Sequence, residues 1–285
     1  MENEFSHLPV MPDECIEALN IKPDGIYVDC TTGGAGHSIR IAQKLEAGKG
    51  RLICIDRDEE AIAAASKRLE PYADVVTIIR SNFSEVGEVV RSLGIESVDG
   101  ALIDLGASSH QFDAPERGFS YRFSGRLDMR MDQTQKLSAF EVVNMYSKEE
   151  LTKIFFQYGE ERFSKQISAK ICEERKNHPI ETTFQLVDVI KSALPKFALN
   201  QKGHPAKQVF QAIRIEVNDE LQALKSAIDQ ALSMLNHNGR LAIITFHSLE
   251  DRIVKNKFKE VTCVNDNVKG LASLKENEQE FKLIN

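Results

Sequence analysis

The nine residues DCTTGGAGH, 29–37, lie where a short apolar run gives way to a helical pattern. Glycine tolerates a positive φ and lets the backbone approach a ligand, and the free N–H groups at a helix start attract anionic groups. Asp56 ends the next apolar run, 20 residues after Gly36, where an acid suits a pair of ribose hydroxyls. The turn and the acid together predict a site for an adenosine-containing cofactor.

Short apolar runs alternate with helical patterns in the first third of the chain, and a fifth run follows much later. These runs are Ile26–Thr31, Arg51–Asp56, Val75–Arg80, Ala101–Leu105 and Arg240–Phe246. Runs of this length, rich in Val and Ile, are typical of strands buried on both faces. Strand–helix alternation therefore predicts an α/β fold with a doubly wound, mostly parallel sheet.

The segment between the fourth and fifth runs shows helical patterns and no strand signal. Its patterns cover Gly159–Glu174 and Thr183–Leu194, and a longer one, Val217–Leu235, precedes the fifth run. We therefore predict a discontinuous sheet domain, residues 1–112 and 207–285, with a helical insertion at 113–206.

Charge is divided unevenly along the 285 residues. The formal net charge of −7 by itself argues against a nucleic-acid partner. Residues 1–112 carry a net −9, residues 113–206 a net +2 and the rest none, so the insertion can still present a cationic face. No apolar run is long enough to span a membrane. Five scattered cysteines favour reduced thiols in the cytoplasm, and no spacing typical of metal ligands occurs, so no metal is predicted.

The glycine turn is compatible with two cofactors, NAD and S-adenosylmethionine. An NAD fingerprint requires a third glycine at position 39, which is Ile39, whereas an acid-x-T-x-G-x-x-G pattern after the first strand favours S-adenosylmethionine. A tight turn without a ligand is the remaining alternative.

Three further candidates follow predicted strands, and each has a structural alternative. Asp104, with Ser108 and Ser109 behind it, can accept a hydrogen bond from a cofactor or substrate amine, or can form a turn or helix cap. Phe83 can stack on an adenine or pack in the core. His247 can contact substrate, or the segment can simply begin a helix capped by Ser248.

The start of the insertion is rich in arginine. Arg117, Arg122, Arg126 and Arg130 alternate with aromatic residues, which suits phosphates and unstacked bases. Acids lie between them, so a structural salt-bridge loop is an equal alternative. Lys207 and Arg214 add cations where the insertion returns to the sheet.

Eight internal motifs in order resemble those of the bacterial small-subunit rRNA cytosine-N4 methyltransferase family. They are DCTTGGAGH (29–37), DRD (56–58), DLGASSHQFD (104–113), RGFS (117–120), LDMRMD (127–132), YGEERF (158–163), HPAKQVFQAIRIEVNDEL (204–221) and GRLAIITFHSLEDRIVK (239–255). The opening His7-x-Pro9-Val10-Met11 also resembles this family. The resemblance implies a class I methyltransferase fold with a helical insertion, S-adenosylmethionine as donor, and a cytidine in the decoding region of 16S rRNA as acceptor.

The resemblance also implies roles for individual residues. The cofactor would be bound by Ala35, Gly36, His37, Asp56, Phe83, Asp104 and Gln111. From the chemistry of amine methylation, we expect Asp104, Ser108 or Ser109 to activate the cytosine amine. From charge and position, we expect the RNA substrate to be contacted by Arg117, Arg126, Arg130, Lys207, Arg214 and His247.

Two features depart from the family pattern. Gln208-Val209 replace a more usual Arg-Thr, and the sequence stops at Asn285, where the family continues with a basic segment and a last strand. We expect either a truncated product with an unpaired sheet edge or a fold that closes differently. The alternative function is a catalytically inactive homologue that binds rRNA or the ribosome. The expected partner is 16S rRNA or the small subunit, with no membrane and no DNA, and a homodimer stays open.

Overall fold

The computed structural model describes residues 9–262 and 281–284, and its sheet has five parallel strands in the order β3-β2-β1-β4-β5. The strands are β1 (Ile26–Asp29), β2 (Arg51–Asp56), β3 (Val76–Arg80), β4 (Val98–Asp104) and β5 (Leu235–Ile244). The predicted doubly wound α/β sheet is confirmed. Because the strand order reverses between β1 and β4, a crevice opens beyond their carboxyl ends.

Thirteen α-helices surround or extend this sheet in the described residues. They are α1 (Pro12–Leu19), α2 (Gly36–Leu45), α3 (Glu59–Leu69), α4 (Val86–Ser92), α5 (Ser109–Asp113), α6 (Ala139–Met145), α7 (Lys148–Gln157), α8 (Ser164–Glu174), α9 (Thr183–Ala193), α10 (Lys196–Leu199), α11 (Lys207–Asn218), α12 (Glu220–Ser233) and α13 (Ser248–Thr262). None of the described helices has the length and apolarity needed to cross a membrane.

Alternate side chains of the strands fill two separate cores, as the two-residue period of a strand requires. On one face Val28, Ile53 and Ile103 pack with Leu224 and Ile228 of α12. On the other face the partners come from α1, α2 and α3, and they surround Tyr27, Leu52 and Leu102. Burial on both faces explains why these strands appear in the sequence as continuous apolar runs.

The prediction of a single helix over Val217–Leu235 is wrong, because the segment is divided among α11, α12 and β5. Asp219 has a φ of 48°, which ends α11 and starts α12, so Val217 belongs to the earlier helix. Leu235 already lies in β5, which begins five residues before the predicted Arg240 and pairs irregularly with β4 between Val98 and Gly100. The apolar spacing continues across the break because both helices bury one face, so periodicity alone does not reveal it.

Residues 113–206 contain helices and one isolated bridge between Arg126 and Thr182. They form a third apolar core, built on Leu151, Phe155, Ile167 and Ile190 among others. Side chains of α11 complete this core, although the sequence placed α11 with the sheet domain. The boundary at residue 206 and the role of the insertion stay predictions. The motif around His7 and the tail from 263 to 280 lie outside the described residues.

Candidate active site

A cavity of about 580 Å³ opens at the carboxyl ends of β1, β2, β4 and β5. One side, here called the sheet edge, comprises the cavity-lining residues Thr31–Gly34, Gly36, His37, Asp56, Phe83 and Asp104–Phe112. The facing side, here called the opposite wall, comprises Lys207, Gln211, Arg214, Glu220, Phe246, His247 and Glu250. The cavity thus joins the glycine turn to the helix through which the insertion returns.

The glycine turn is shaped by a buried carboxylate. Gly33 and Ala35 both adopt left-handed backbone, with φ of 48° and 63°. Asp29 accepts hydrogen bonds from the Thr31 amide at 3.2 Å and the Ser38 hydroxyl at 2.5 Å, and its burial raises its pKa. Ala35 is fully buried and does not line the cavity, and its predicted cofactor contact stays a prediction. Its backbone shapes the turn.

Asp56 lies at the end of β2 with its carboxylate in the cavity. The Gly33 amide donates to Oδ2 at 2.7 Å, and the Asp58 amide donates to Oδ1 at 2.9 Å. Burial raises the pKa of Asp56 to about 6 despite these bonds. Each carboxylate oxygen has a second lone pair, so the group can still accept bonds from two hydroxyls.

His37 and Asp104 present buried polar atoms without partners. Both ring nitrogens of His37 and Oδ1 of Asp104 lack a hydrogen bond, and His37 Nε2 lies 3.5 Å from Asp104 Oδ2. Buried polar groups are almost always satisfied in native proteins. Their position beside the glycine turn fits a ligand that carries both an amine and a carboxylate, as the methionine part of S-adenosylmethionine does.

The other predicted sheet-edge residues divide between the cavity and the scaffold. Phe83 touches the cavity but is mostly packed in the core against residues of β1, β2 and α12. Ser108 caps α5 by accepting from the Gln111 amide, and Gln111 Oε1 accepts from the Ser108 amide in return. Ser109 lines the cavity, and its hydroxyl has no partner among the described residues.

Asp58 is a buried residue that the sequence analysis missed. It caps α3, and its Oδ2 accepts from Gln111 Nε2 at 2.6 Å and from Arg117 Nη2 at 2.8 Å. Arg117 also pairs with Glu60 and is 3% exposed. The guanidinium of Arg117 is thus enclosed in an ion pair away from the cavity, and its predicted substrate contact stays a prediction that this pairing does not favour. An acid directly before a helical pattern was the available signal for Asp58.

The next two predicted arginines also lie away from the cavity. Arg130 grips Asp128 with two hydrogen bonds of 2.7 and 2.9 Å and donates to two backbone carbonyls, so it stabilises its own loop. Arg126 is exposed, and its side chain makes no ion pair within the described residues. Neither residue lines the cavity.

The three remaining substrate candidates, Lys207, Arg214 and His247, do line the cavity. Arg214 forms a two-bond pair with Glu220 at 2.8 and 2.9 Å, and His247 Nε2 lies 3.2 Å from Glu250 Oε1. Lys207 is exposed and lacks an ionic partner in the described part of the chain.

The cavity also contains four residues that the sequence analysis did not single out as site residues: Glu220, Glu250, Gln211 and Phe246. Phe246 is the last residue of the fifth apolar run. Glu220, His247 and Glu250 bring one ligand atom each within 4.8 Å, but Arg214 already balances the charge of Glu220.

The parallel sheet, the glycine turn after β1 and the acid ending β2 are features of class I S-adenosylmethionine-dependent methyltransferases. A family model described as the MraW methylase family matches residues 4–285, so the chain belongs to this family. The predicted cofactor, S-adenosylmethionine, is thereby confirmed over NAD.

Named relatives and one solved structure give the range of similarity. The chain is 52% identical over 281 residues to a ribosomal RNA small subunit methyltransferase H of Oceanobacillus iheyensis, covering 98% of this chain and 86% of that protein. It is 52% identical over 258 residues to the protein of that name from Finegoldia magna, covering 90% and 82%. The crystal structure of NSun6 from Pyrococcus horikoshii with SFG is 14% identical, covers 88% of this chain and 41% of that one, and has a TM-score of 0.42.

Proposed function

We propose that the protein methylates the exocyclic N4 amine of a cytidine in the decoding region of 16S rRNA. The observation that carries this is one cavity in which unpaired polar groups of the sheet edge face the helix that returns from the insertion. The names of two relatives with 52% identity support an rRNA substrate, and the motif resemblance supports the cytidine amine.

The residues that would hold the cofactor line the cavity, and their polar groups can still form hydrogen bonds. Gly36 and His37 would take the methionine end, Asp56 the ribose hydroxyls and Phe83 the surroundings of the adenine. Gln111 lines the same pocket, but both ends of its amide are already bonded, so it would act mainly by fixing α5. The bound cofactor supplies an electrophilic methyl group on a sulfonium.

Activation of the acceptor falls to the end of β4. The lone pair of a cytosine amine is delocalised into the ring, so an enzyme must align the nitrogen and accept a hydrogen bond from it. Asp104 Oδ1 is buried without a hydrogen-bond partner, and the Ser109 hydroxyl lines the cavity with no partner in the described part of the chain. Ser108 is occupied as a helix cap. We therefore assign the acceptor role to Asp104 first and Ser109 second.

The RNA would approach from the side of the insertion. A base must leave its stack before its amine can enter a cavity of this kind. Lys207 at the cavity and Arg126 on the insertion offer charges to phosphates, whereas Arg117, Arg130 and Arg214 are paired internally. We retain Lys207 and Arg126 as phosphate contacts and residues 113–206 as the RNA-recognition segment.

The test is methyl transfer from labelled S-adenosylmethionine to small ribosomal subunits that lack the modification. We expect labelled N4-methylcytidine after digestion to nucleosides. Label on another atom or base would overturn the proposed acceptor. Binding of both cofactor and subunit without any transfer would support an inactive binding protein instead.

A further inference from the structure

Phe246 is a large apolar side chain that stays in the open at the cavity. It lies two residues after the end of β5, lines the opposite wall and is 54% exposed. Its neighbour across the sheet edge is Gly106, where an added Cβ would lie 3.6 Å from Phe246 Cδ2. Gly106 has a φ of 98°, a conformation that side-chain-bearing residues rarely adopt. The ring thus stands beside the loop that follows Asp104.

The exposure of Phe246 does not come from a loosely held backbone. The Phe246 and His247 amides both donate to Glu250 Oε2, at 2.8 and 3.2 Å, and Glu250 is only 2% exposed. Ser248 then begins α13 and donates to Glu160 of the insertion at 2.8 Å. A buried carboxylate and a contact from the insertion therefore fix the backbone that carries the ring.

Two other phenylalanines, Phe112 and Phe156, each lack one of the features of Phe246. Phe112 also lines the cavity, but its ring packs edge-on against Phe119 at 6.3 Å. Phe156 on α7 is more exposed, at 66%, yet does not line the cavity. Phe246 has no ring partner among the described residues. An exposed ring on a fixed backbone inside the cavity fits a flat partner with a π-face, as an unstacked base has.

We propose that Phe246 is the stacking platform for the acceptor nucleobase, beside the loop that follows Asp104. This inference rests on the proposed function, because it names the contact that holds the cytosine of that reaction. Base stacking on an aromatic side chain corresponds to roughly a 5- to 150-fold loss of affinity on removal.

The composition of the chain allows a direct optical test, because it contains no tryptophan. In the Phe246→Trp variant the new indole is the only one and remains able to stack. We expect its fluorescence to be quenched by a single-stranded RNA that contains the target cytidine. The same RNA with an abasic site at that position should bind, by anisotropy, without this quenching. The Phe156→Trp variant should show no response to either RNA.

An activity test complements the optical one. Phe246→Leu should reduce kcat/KM for undermethylated subunits about tenfold or more, and Phe246→Tyr should restore it. Calorimetry should show unchanged affinity for S-adenosylmethionine, and the melting temperature should stay near that of the wild type. Phe156→Leu, which removes a more exposed ring, should leave kcat/KM unchanged.

The two proposals fail in different ways. If the wild type makes N4-methylcytidine while the Phe246→Trp variant ignores the target base, or Phe246→Leu is fully active, the stacking role is wrong. If quenching requires the target base but the wild type transfers no methyl group to cytidine, stacking stands and the proposed reaction is wrong.

Discussion

The two sides of the cavity differ in how many of their buried polar atoms lack a hydrogen bond. The sheet edge leaves both ring nitrogens of His37 and Oδ1 of Asp104 without one. Among the described residues of the opposite wall, Arg214 is paired with Glu220, and Nε2 of His247 is the buried atom left without a hydrogen bond. Unsatisfied buried groups are costly unless a ligand completes them. The sheet edge is therefore prepared for a small ligand of fixed shape. The opposite wall leaves fewer such atoms and presents the Phe246 ring and the Lys207 ammonium group to a larger partner.

The same contrast separates the cationic residues that looked alike in the sequence. Arg117 is enclosed between Asp58 and Glu60, while Lys207 remains exposed at the cavity. A cationic side chain is a good candidate for a phosphate contact only if it is not already paired with a carboxylate of the protein. The predictions below test this difference and the preparation of the sheet edge.

The largest effect is expected on stability from Arg117→Ala. Removing the guanidinium leaves the Asp58 carboxylate buried with a partner missing, which typically costs about 3–5 kcal/mol. Urea denaturation should show this loss as a lower midpoint. Arg126→Ala, on an exposed side chain, should change stability by less than about 0.5 kcal/mol. Equal midpoints for both variants would contradict the structural role of Arg117.

Asp104→Asn should give the largest effect on the reaction. Losing the charged acceptor should reduce turnover at saturating S-adenosylmethionine by about 100-fold or more, with the fold retained. Asp99→Asn is the matched control, since Asp99 lies near the other end of β4 and bonds to Ile26 and Lys22. It should keep full turnover per folded molecule. Unchanged turnover for Asp104→Asn would remove Asp104 from the acceptor role.

Cofactor affinity should depend on pH through Asp56, whose pKa is about 6. Ribose hydroxyls donate to the ionised carboxylate, so protonation competes with binding and affinity should fall as the pH drops below 6. The limit is about tenfold per pH unit, and affinity should be flat above pH 7. Calorimetry between pH 5 and pH 8 measures this dependence.

The control for this pH dependence is Asp56→Asn, which cannot ionise. It should bind S-adenosylmethionine more weakly and show almost no change between pH 5 and pH 7. A wild-type affinity that is constant across this range would contradict the assignment of Asp56 to the ribose.

The smallest effect is expected from Lys207→Gln. Loss of one phosphate contact should weaken RNA binding uniformly across sequences and make the salt slope shallower by about 0.7 to 0.9. Lys44→Gln removes an exposed charge from the far end of α2 and should leave the slope unchanged. Equal slopes for wild type and Lys207→Gln would place the phosphates elsewhere.

Local sequence predicted the sheet edge well for a physical reason. Strands buried on both faces need continuous apolar runs, and a turn with φ of 48° at Gly33 favours glycine. Asp56 and Asp104 end their strands, and parallel strands place those ends together. The prediction of one helix over Val217–Leu235 was wrong because a single left-handed residue, Asp219, ends one helix and starts the next without changing the apolar spacing.

The sequence by itself determined the parallel sheet, the glycine turn and the acids that end β2 and β4, because each depends on residues close along the chain. Only the tertiary structure decided which charges are free. Arg117 meets Asp58, 59 residues away, whereas nearer acids such as Asp113 and Glu116 were the obvious partners. It also decided that Phe246 stands open beside Gly106, since this depends on how β5 is placed against β4. Contacts between distant segments follow from packing, and no local pattern encodes them.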